Sequence, residues 1–133
     1  MSERQTQIAI CDFIRAQWPF LDDYLVKLDN EGSRKVIERN GKTIHIGIIS
    51  AKRAGLKPKA SDLLIAWPTI EYCGLWMEIK PDGWLGAKGK KEKEHVEGQL
   101  KFQAMMRAVG FQTAWCVGVD QGVAAMKAYM KMS

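Results

Sequence analysis

The sequence predicts an α/β fold, a sheet covered by helices, and three observations carry that expectation. Residues 62–67 and 74–80 are strongly apolar runs of strand length, each flanked by breakers, with Pro68 and Pro81 at their ends. Residues 111–117 form a third such run. Segments with helical spacing precede, separate and follow these runs, giving the order helix, strand, polar arm, strand, strand, helix, strand, helix.

Each element has a local reason. Ser2 followed by Gln5 reads as a capping box for a first helix running to residue 17, where Pro19 stops it. Its stripe is Glu3, Gln7, Ile10 and Ile14, with Phe13 alongside. Residues 23–28 read as a short strand closed by the turn-prone Asp29-Asn30-Glu31-Gly32. Residues 33–42 are polar and end in Asn40-Gly41, a hairpin-turn dipeptide, so they read as a hairpin arm or a loop. Residues 44–53 suit a short helix stopped by Gly55 and Pro58. The connection 69–73 between the two apolar runs has hairpin length. Residues 81–91, rich in Gly and Lys, read as loop, and a helix follows over 92–109, ending at Gly110. Asp120 is the expected N-cap of a last helix with Val123, Met126 and Met130 on one face.

Composition bounds the function. A chain of 133 residues with 47% hydrophobic and 26% charged residues suits one folded domain, and it shows neither an internal repeat nor a linker between two cores. Twenty Lys and Arg against fifteen Asp and Glu leave a net charge of +5, which favours polyanionic partners. The three cysteines, Cys11, Cys73 and Cys116, form no close pair and read as reduced, buried thiols. His45 and His95 lie far apart without neighbouring cysteines, which argues against zinc. No apolar run approaches the ~18 residues of a bilayer span, and the polar start is no signal peptide, so a cytoplasmic protein without membrane partners is expected.

The chemically informative segment is Leu75-Trp76-Met77-Glu78-Ile79-Lys80. Side chains alternate along a strand, so Trp76, Glu78 and Lys80 share one face while Leu75, Met77 and Ile79 share the other. A carboxylate on a strand of this apolarity is costly unless it is paired, hydrogen-bonded or bound to a metal. The preceding run opens with Asp62, and a hairpin pairing of the two strands brings Asp62 beside Glu78 and Lys80. Two carboxylates and one ammonium at a sheet edge suit Mg²⁺, a hard cation that takes one or two carboxylates and keeps several waters. A metal so held can stabilise charge on a phosphodiester and acidify its bound water, and the lysine can orient that water or offset transition-state charge. The competing reading is a solvated Glu-x-Lys ion pair in an unrelated α/β protein, which predicts neither DNA binding nor Mg²⁺ binding.

Residues 55–65, Gly-Leu-Lys-Pro-Lys-Ala-Ser-Asp-Leu-Leu-Ile, resemble the approach to the first catalytic Asp in the VRR-NUC family of nucleases. Residues 74–80 resemble that family's Glu-x-Lys strand, and Gln99, Phe102 and Gly110-Phe111 resemble its following helix and closing Gly-aromatic turn. Glu3 and Gln7 stand where its first helix carries polar site residues, so the resemblance spans nearly the whole chain. Lys59 and Ser61 depart from the Gly and Pro that are commoner there, and the loop after Lys80 looks long. The resemblance implies a restriction-endonuclease-like PD-(D/E)xK core, a central mixed sheet flanked by helices, and cleavage of DNA with Mg²⁺ or Mn²⁺. By the same resemblance Asp62, Glu78 and the carbonyl of Ile79 bind metal, Lys80 positions the attacking water, Gln99 orients Lys80 or the phosphate, and Glu3 completes the site. Stand-alone members resemble Holliday-junction resolvases, which implies a homodimer preferring four-way or otherwise branched DNA.

Gln99 also stands out on spacing alone, at the head of a stripe with Phe102, Gln103, Met106 and Val109, where a polar residue needs a buried partner; capping a strand carbonyl is the other role open to it. Glu3 in a first helical turn also serves the helix dipole. The runs 88–93 and Lys52, Arg53, Lys57, Lys59 are basic and adjoin the site, where they either hold a phosphate backbone or are simply solvated. Trp76 and Trp84 read as core or turn fillers and His95 as an exposed helix residue. A non-cleaving nucleic-acid-binding protein that keeps the fold is the alternative from a different class.

Overall fold

The computed structural model describes residues 1–28 and 36–131. The chain opens with α1 (Glu3–Gln17), and the capping box is complete: Gln5 N–H donates to Ser2 Oγ at 3.1 Å and Ser2 N–H to Gln5 Oε1 at 2.9 Å. Pro19 then starts a short 3-10 turn over Pro19–Tyr24, which Arg15 ties back to α1 through Asp22 at 2.6 Å. The first strand therefore begins later than residue 23, as β1 (Leu25–Lys27). The turn predicted at 29–32 and residues 33–35 of the polar arm lie outside the described residues. The rest of that arm is a hairpin of β2 (Ile37–Arg39) and β3 (Lys42–Ile44). Asn40 and Gly41 both take positive φ, 54° and 74°, as a two-residue turn matched to strand twist requires.

After α2 (Ile46–Arg53) come the two apolar strands, β4 (Leu63–Ile65) and β5 (Leu75–Lys80), then α3 (Gly89–Ala108), β6 (Gln112–Val117) and α4 (Val119–Met130). The main sheet runs β1–β4–β5–β6. β4 pairs antiparallel with β5, Leu63 opposite Met77, whereas β6 pairs parallel with it, Glu78 opposite Trp115 and Lys80 opposite Val117. The sheet is thus mixed, and β5 is covered along both edges. Its alternation is as expected: Leu75, Met77 and Ile79 join a core with Ile10, Ile14, Leu21, Leu63, Ile65, Met126 and Tyr129. The opposite face packs on α3, where Trp76 meets Phe102 and Phe111 edge-on at 5.0 and 6.0 Å between ring centroids.

Several details differ from the sequence expectation. α3 starts at Gly89, earlier than residue 92, because the Glu92 carboxylate accepts the Lys88 N–H at 3.0 Å and satisfies a donor at the helix entrance. Val109 ends outside the sheet-facing stripe, 65% exposed. The N-cap of α4 is Gly118 at φ 83°, not Asp120, which falls in the first turn. A Cβ at Gly118 would lie 2.9 Å from Asp82 Oδ1, so neither the dihedral nor the space admits another residue. Starting there, α4 buries Gly122, Met126 and Tyr129 in place of the expected Val123, Met126 and Met130. The shift has a packing cause: a Cβ at Gly122 would run into the Ile10 side chain, so α1 and α4 touch closely where a glycine permits. Cys11 and Cys116 are buried, but Cys73 is exposed, in the loop entering β5 where its N–H bonds the Gly110 carbonyl at 2.9 Å. Among the described residues no helix is long and apolar enough to cross a membrane.

Tyr129, 1% exposed, donates its hydroxyl to the Trp67 carbonyl at 2.6 Å and so fixes the loop after β4 to α4. Tyr129→Phe is expected to cost about 1 kcal/mol, read as a lower urea midpoint with unchanged denaturant slope.

Candidate active site

Asp62 stands one step before β4, beside Glu78 if the Leu63–Met77 register is continued. Its backbone carbonyl accepts the Leu28 N–H at 3.1 Å and its side-chain Oδ2 accepts the Ile79 N–H at 2.8 Å. The carboxylate therefore continues the ladder before β4 begins and is held against β5 by a charge-assisted bond. Since the Ile79 N–H faces the β4 edge, the Ile79 carbonyl faces the same edge, beyond Leu63, the first residue of β4.

Glu78 is fully buried, and no donor of the protein reaches either of its carboxylate oxygens. The Lys80 ammonium is 3.8 Å from Oε2, an ion-pair distance too long for a hydrogen bond. Burial, then the adjoining Asp62 carboxyl, raises the Glu78 pKa from 4.5 to about 10, against the opposing pull of Lys80. Glu3 arrives from the first turn of α1, so that one oxygen each from Glu3, Asp62 and Glu78 lie within 4.8 Å of one another. Three carboxyl groups gathered this closely could hold a cation between them, and their hard oxygen donors suit Mg²⁺ or Mn²⁺ better than zinc or copper.

Lys80 is 7% exposed, and its ammonium donates to Gln99 Oε1 at 3.0 Å. Trp84 and Trp115 lie over it at 5.5 and 5.2 Å. Trp84 thus wraps the lysine, and the adjacent tryptophan of β6, absent from the sequence reading, does the same. Gln99 orients Lys80, while the carbonyl-capping role open to it falls one turn later to Gln103, whose Nε2 donates to the Ala114 carbonyl at 3.0 Å. Nothing in the sequence separates these two glutamines; only the crossover of α3 over β5 and β6 does.

The site opens into a cleft of about 920 Å³ lined by Glu3, Asp62, Lys80, Gln99 and His95, and also by Arg4, Gln7, Arg15 and Lys27. The expected basic run 88–93 contributes only Glu92 to the lining, and of the run 52–59 only Pro58 lines it. His95 is half-buried, not exposed: its Nδ1 is bonded to the Lys59 ammonium, a contact between residues too distant in sequence for local pattern to reveal.

The fold that carries this strand-end cluster of acids and lysine is an α/β fold with a mixed sheet flanked by helices. Among solved structures the chain superposes on one described as a VRR_NUC domain protein, with TM-score 0.74 and 21% sequence identity over all of this chain and 91% of that one. At that identity the likeness establishes the shared fold, a mixed sheet flanked by helices, as the resemblance implied. The sequence matches no protein-family model and no curated protein.

The raised Glu78 pKa has a stability consequence. Between 4.5 and about 10 the folded protein keeps a proton that the unfolded chain releases, so stability is full below 4.5 and falls as pH rises through this window. In EDTA, the melting temperature of wild type is expected to fall from about pH 5 to about pH 9 more steeply than that of Glu78→Gln. Parallel curves for the two proteins would show Glu78 ionised without cost.

Proposed function

We propose that the protein is a metal-dependent nuclease that hydrolyses phosphodiester bonds in DNA. The observation that carries this reading is the Glu78 carboxylate, buried without a donor and grouped with Asp62 and Glu3 beside a lysine. A structural ion pair in an unrelated protein would leave Glu78 satisfied by Lys80 at hydrogen-bond distance and would have no use for Asp62 and Glu3. The shared fold with a VRR_NUC domain protein supports the same reading.

In this reading Asp62 and Glu78, with the Ile79 carbonyl, hold Mg²⁺ or Mn²⁺, and Glu3 completes the set from α1. Such an ion, when bound, stabilises charge developing on the phosphodiester and acidifies a coordinated water. Asp62 is fixed for this task by the Ile79 N–H, so its other oxygen is preorganised toward the cluster. Lys80, held by Gln99, places its ammonium beside the carboxylates, where it orients the attacking water by hydrogen bonding and offsets negative charge on the phosphoryl oxygens. The tryptophans over Lys80 limit its hydration and its rotamers, which strengthens that charge in the cleft. Arg4 and Lys27 in the cleft lining and the net charge of +5 favour a polyanionic strand lying along the cleft.

The finer reading is a homodimer with two such sites that prefers branched DNA, acting in the cytoplasm. Purified protein with supercoiled cruciform plasmid should cleave in Mg²⁺ or Mn²⁺ but not in EDTA, and paired sites should yield linear product without a build-up of nicked circle. Glu78→Ala and Lys80→Ala should each lower the rate at least ~100-fold. Full metal-dependent cleavage by Glu78→Ala would refute the site. Salt-sensitive binding without cleavage under either metal would instead favour the fold's use as a non-cleaving binding module.

A further inference from the structure

Outside the acidic cluster, the cleft is bordered by a side-chain arrangement that metal binding does not use. Lys59 lies just before Asp62, and its stem crosses α3 at Gly98: a Cβ there would sit 2.8 Å from Lys59 Cγ and 3.0 Å from Cδ. Glycine is a poor residue for the interior of a helix, and here its missing side chain lets the lysine stem lie flat against the backbone. The ammonium so delivered meets His95 Nδ1, three residues earlier on the same helix. A lysine ammonium only donates, so Nδ1 must accept, and the ring proton is left on Nε2. Burial, followed by the charges of Lys59 and Lys80, lowers the His95 pKa, so the imidazole stays neutral against the weaker opposing pull of Asp62 and Glu92. His95 itself lines the cleft, together with Asp62, Lys80 and Gln99, whereas Lys59 stands behind it.

We propose that His95, oriented by Lys59 across Gly98, donates its Nε2–H to a phosphate oxygen of the nucleic-acid strand bound in the cleft. The inference rests on the nuclease reading for the identity of the polyanion. A metal-ligand role is disfavoured by the same arrangement, because Nδ1 is occupied and an ammonium stands on it; two lysine charges around a neutral donor make a place for an anion. His95 is then a substrate contact, and Lys59 a positioning residue whose charge acts through the ring. The tautomer matters because the other one would turn a lone pair, not a proton, toward the phosphate.

The test uses the full chain labelled with ¹⁵N. It has two histidines, so His45→Gln assigns the imidazole resonances. His95 is expected as the Nε2–H tautomer, with that preference lost in Lys59→Met, and its Nε2 signal should move when a short DNA duplex is added in EDTA. In Mg²⁺, His95→Ala should raise KM and lower kcat/KM by about 10-fold to 100-fold, the value of a hydrogen bond to a charged group, while His95→Gln, which keeps a donor near the Nε2 position, recovers most of it. An Nδ1–H tautomer, an Nε2 signal indifferent to DNA, or cleavage by His95→Ala equal to wild type would overturn the proposal. The last result, obtained with an active wild type, leaves the nuclease reading intact. A DNA-dependent Nε2 shift in a protein that cleaves under neither metal sinks the nuclease reading and keeps the phosphate contact.

Discussion

A single strand carries two incompatible demands, and the rest of the molecule is arranged around them. β5 must bury Leu75, Met77 and Ile79 in the core on one face while holding Glu78 and Lys80, both removed from water, on the other. An ionised carboxylate buried without donors would cost several kcal/mol, a large share of the ~5–15 kcal/mol by which a domain of this kind is stable. Without a cation Glu78 avoids that cost by keeping its proton, its pKa raised to about 10. β6 covers one edge of β5 along its whole length, β4 covers the other over Leu75–Met77, and residues of α1 and α4 close the core face. The Asp62 side chain satisfies the Ile79 N–H, a backbone donor that β4, starting only at Leu63, does not reach.

The sheet-borne and helix-borne residues of the site are placed by different parts of the architecture. Asp62 and Glu78 are set by strand register, which cannot slip without exchanging the core and site faces of β5. Lys80 shares that register as the last residue of β5, whereas Gln99 and His95 depend on where α3 crosses the sheet, and Glu3 depends on the capping box that starts α1. The sheet thus sets Asp62, Glu78 and Lys80, with Trp84 and Trp115 covering the lysine, while the glutamine and histidine are positioned by helix packing. That division suits a site in which the charged cluster is preorganised and the groups contacting substrate can adjust slightly.

The site's acidic core was legible in the sequence because its logic is local. Period-two alternation in 75–80 put Glu78 and Lys80 on one face, and the two short apolar runs separated by a hairpin-length connection implied the pairing that brings Asp62 to them. The same locality explains the Asn40-Gly41 turn and the Ser2–Gln5 cap. What was not legible depends on contacts between distant elements. Gly122 takes the buried stripe of α4 away from Val123 because Ile10 packs onto it, and Gly118 replaces Asp120 as the cap because Asp82 crowds the turn. His95 looked like one more polar position on a charged helix until Lys59, from the far side of β4 and β5 in sequence, was found on its ring.

The central claim is that the orphaned Glu78 carboxylate belongs to a divalent-metal site shared with Asp62. Diffraction from crystals soaked in Mn²⁺, recorded near the manganese edge, tests it without relying on activity. The account predicts an anomalous peak in the acidic cluster, where Asp62 and Glu78 would hold the ion. A peak that appears only elsewhere, or a Glu78 that stays protonated and bonded to Asp62 at saturating Mn²⁺, would contradict it.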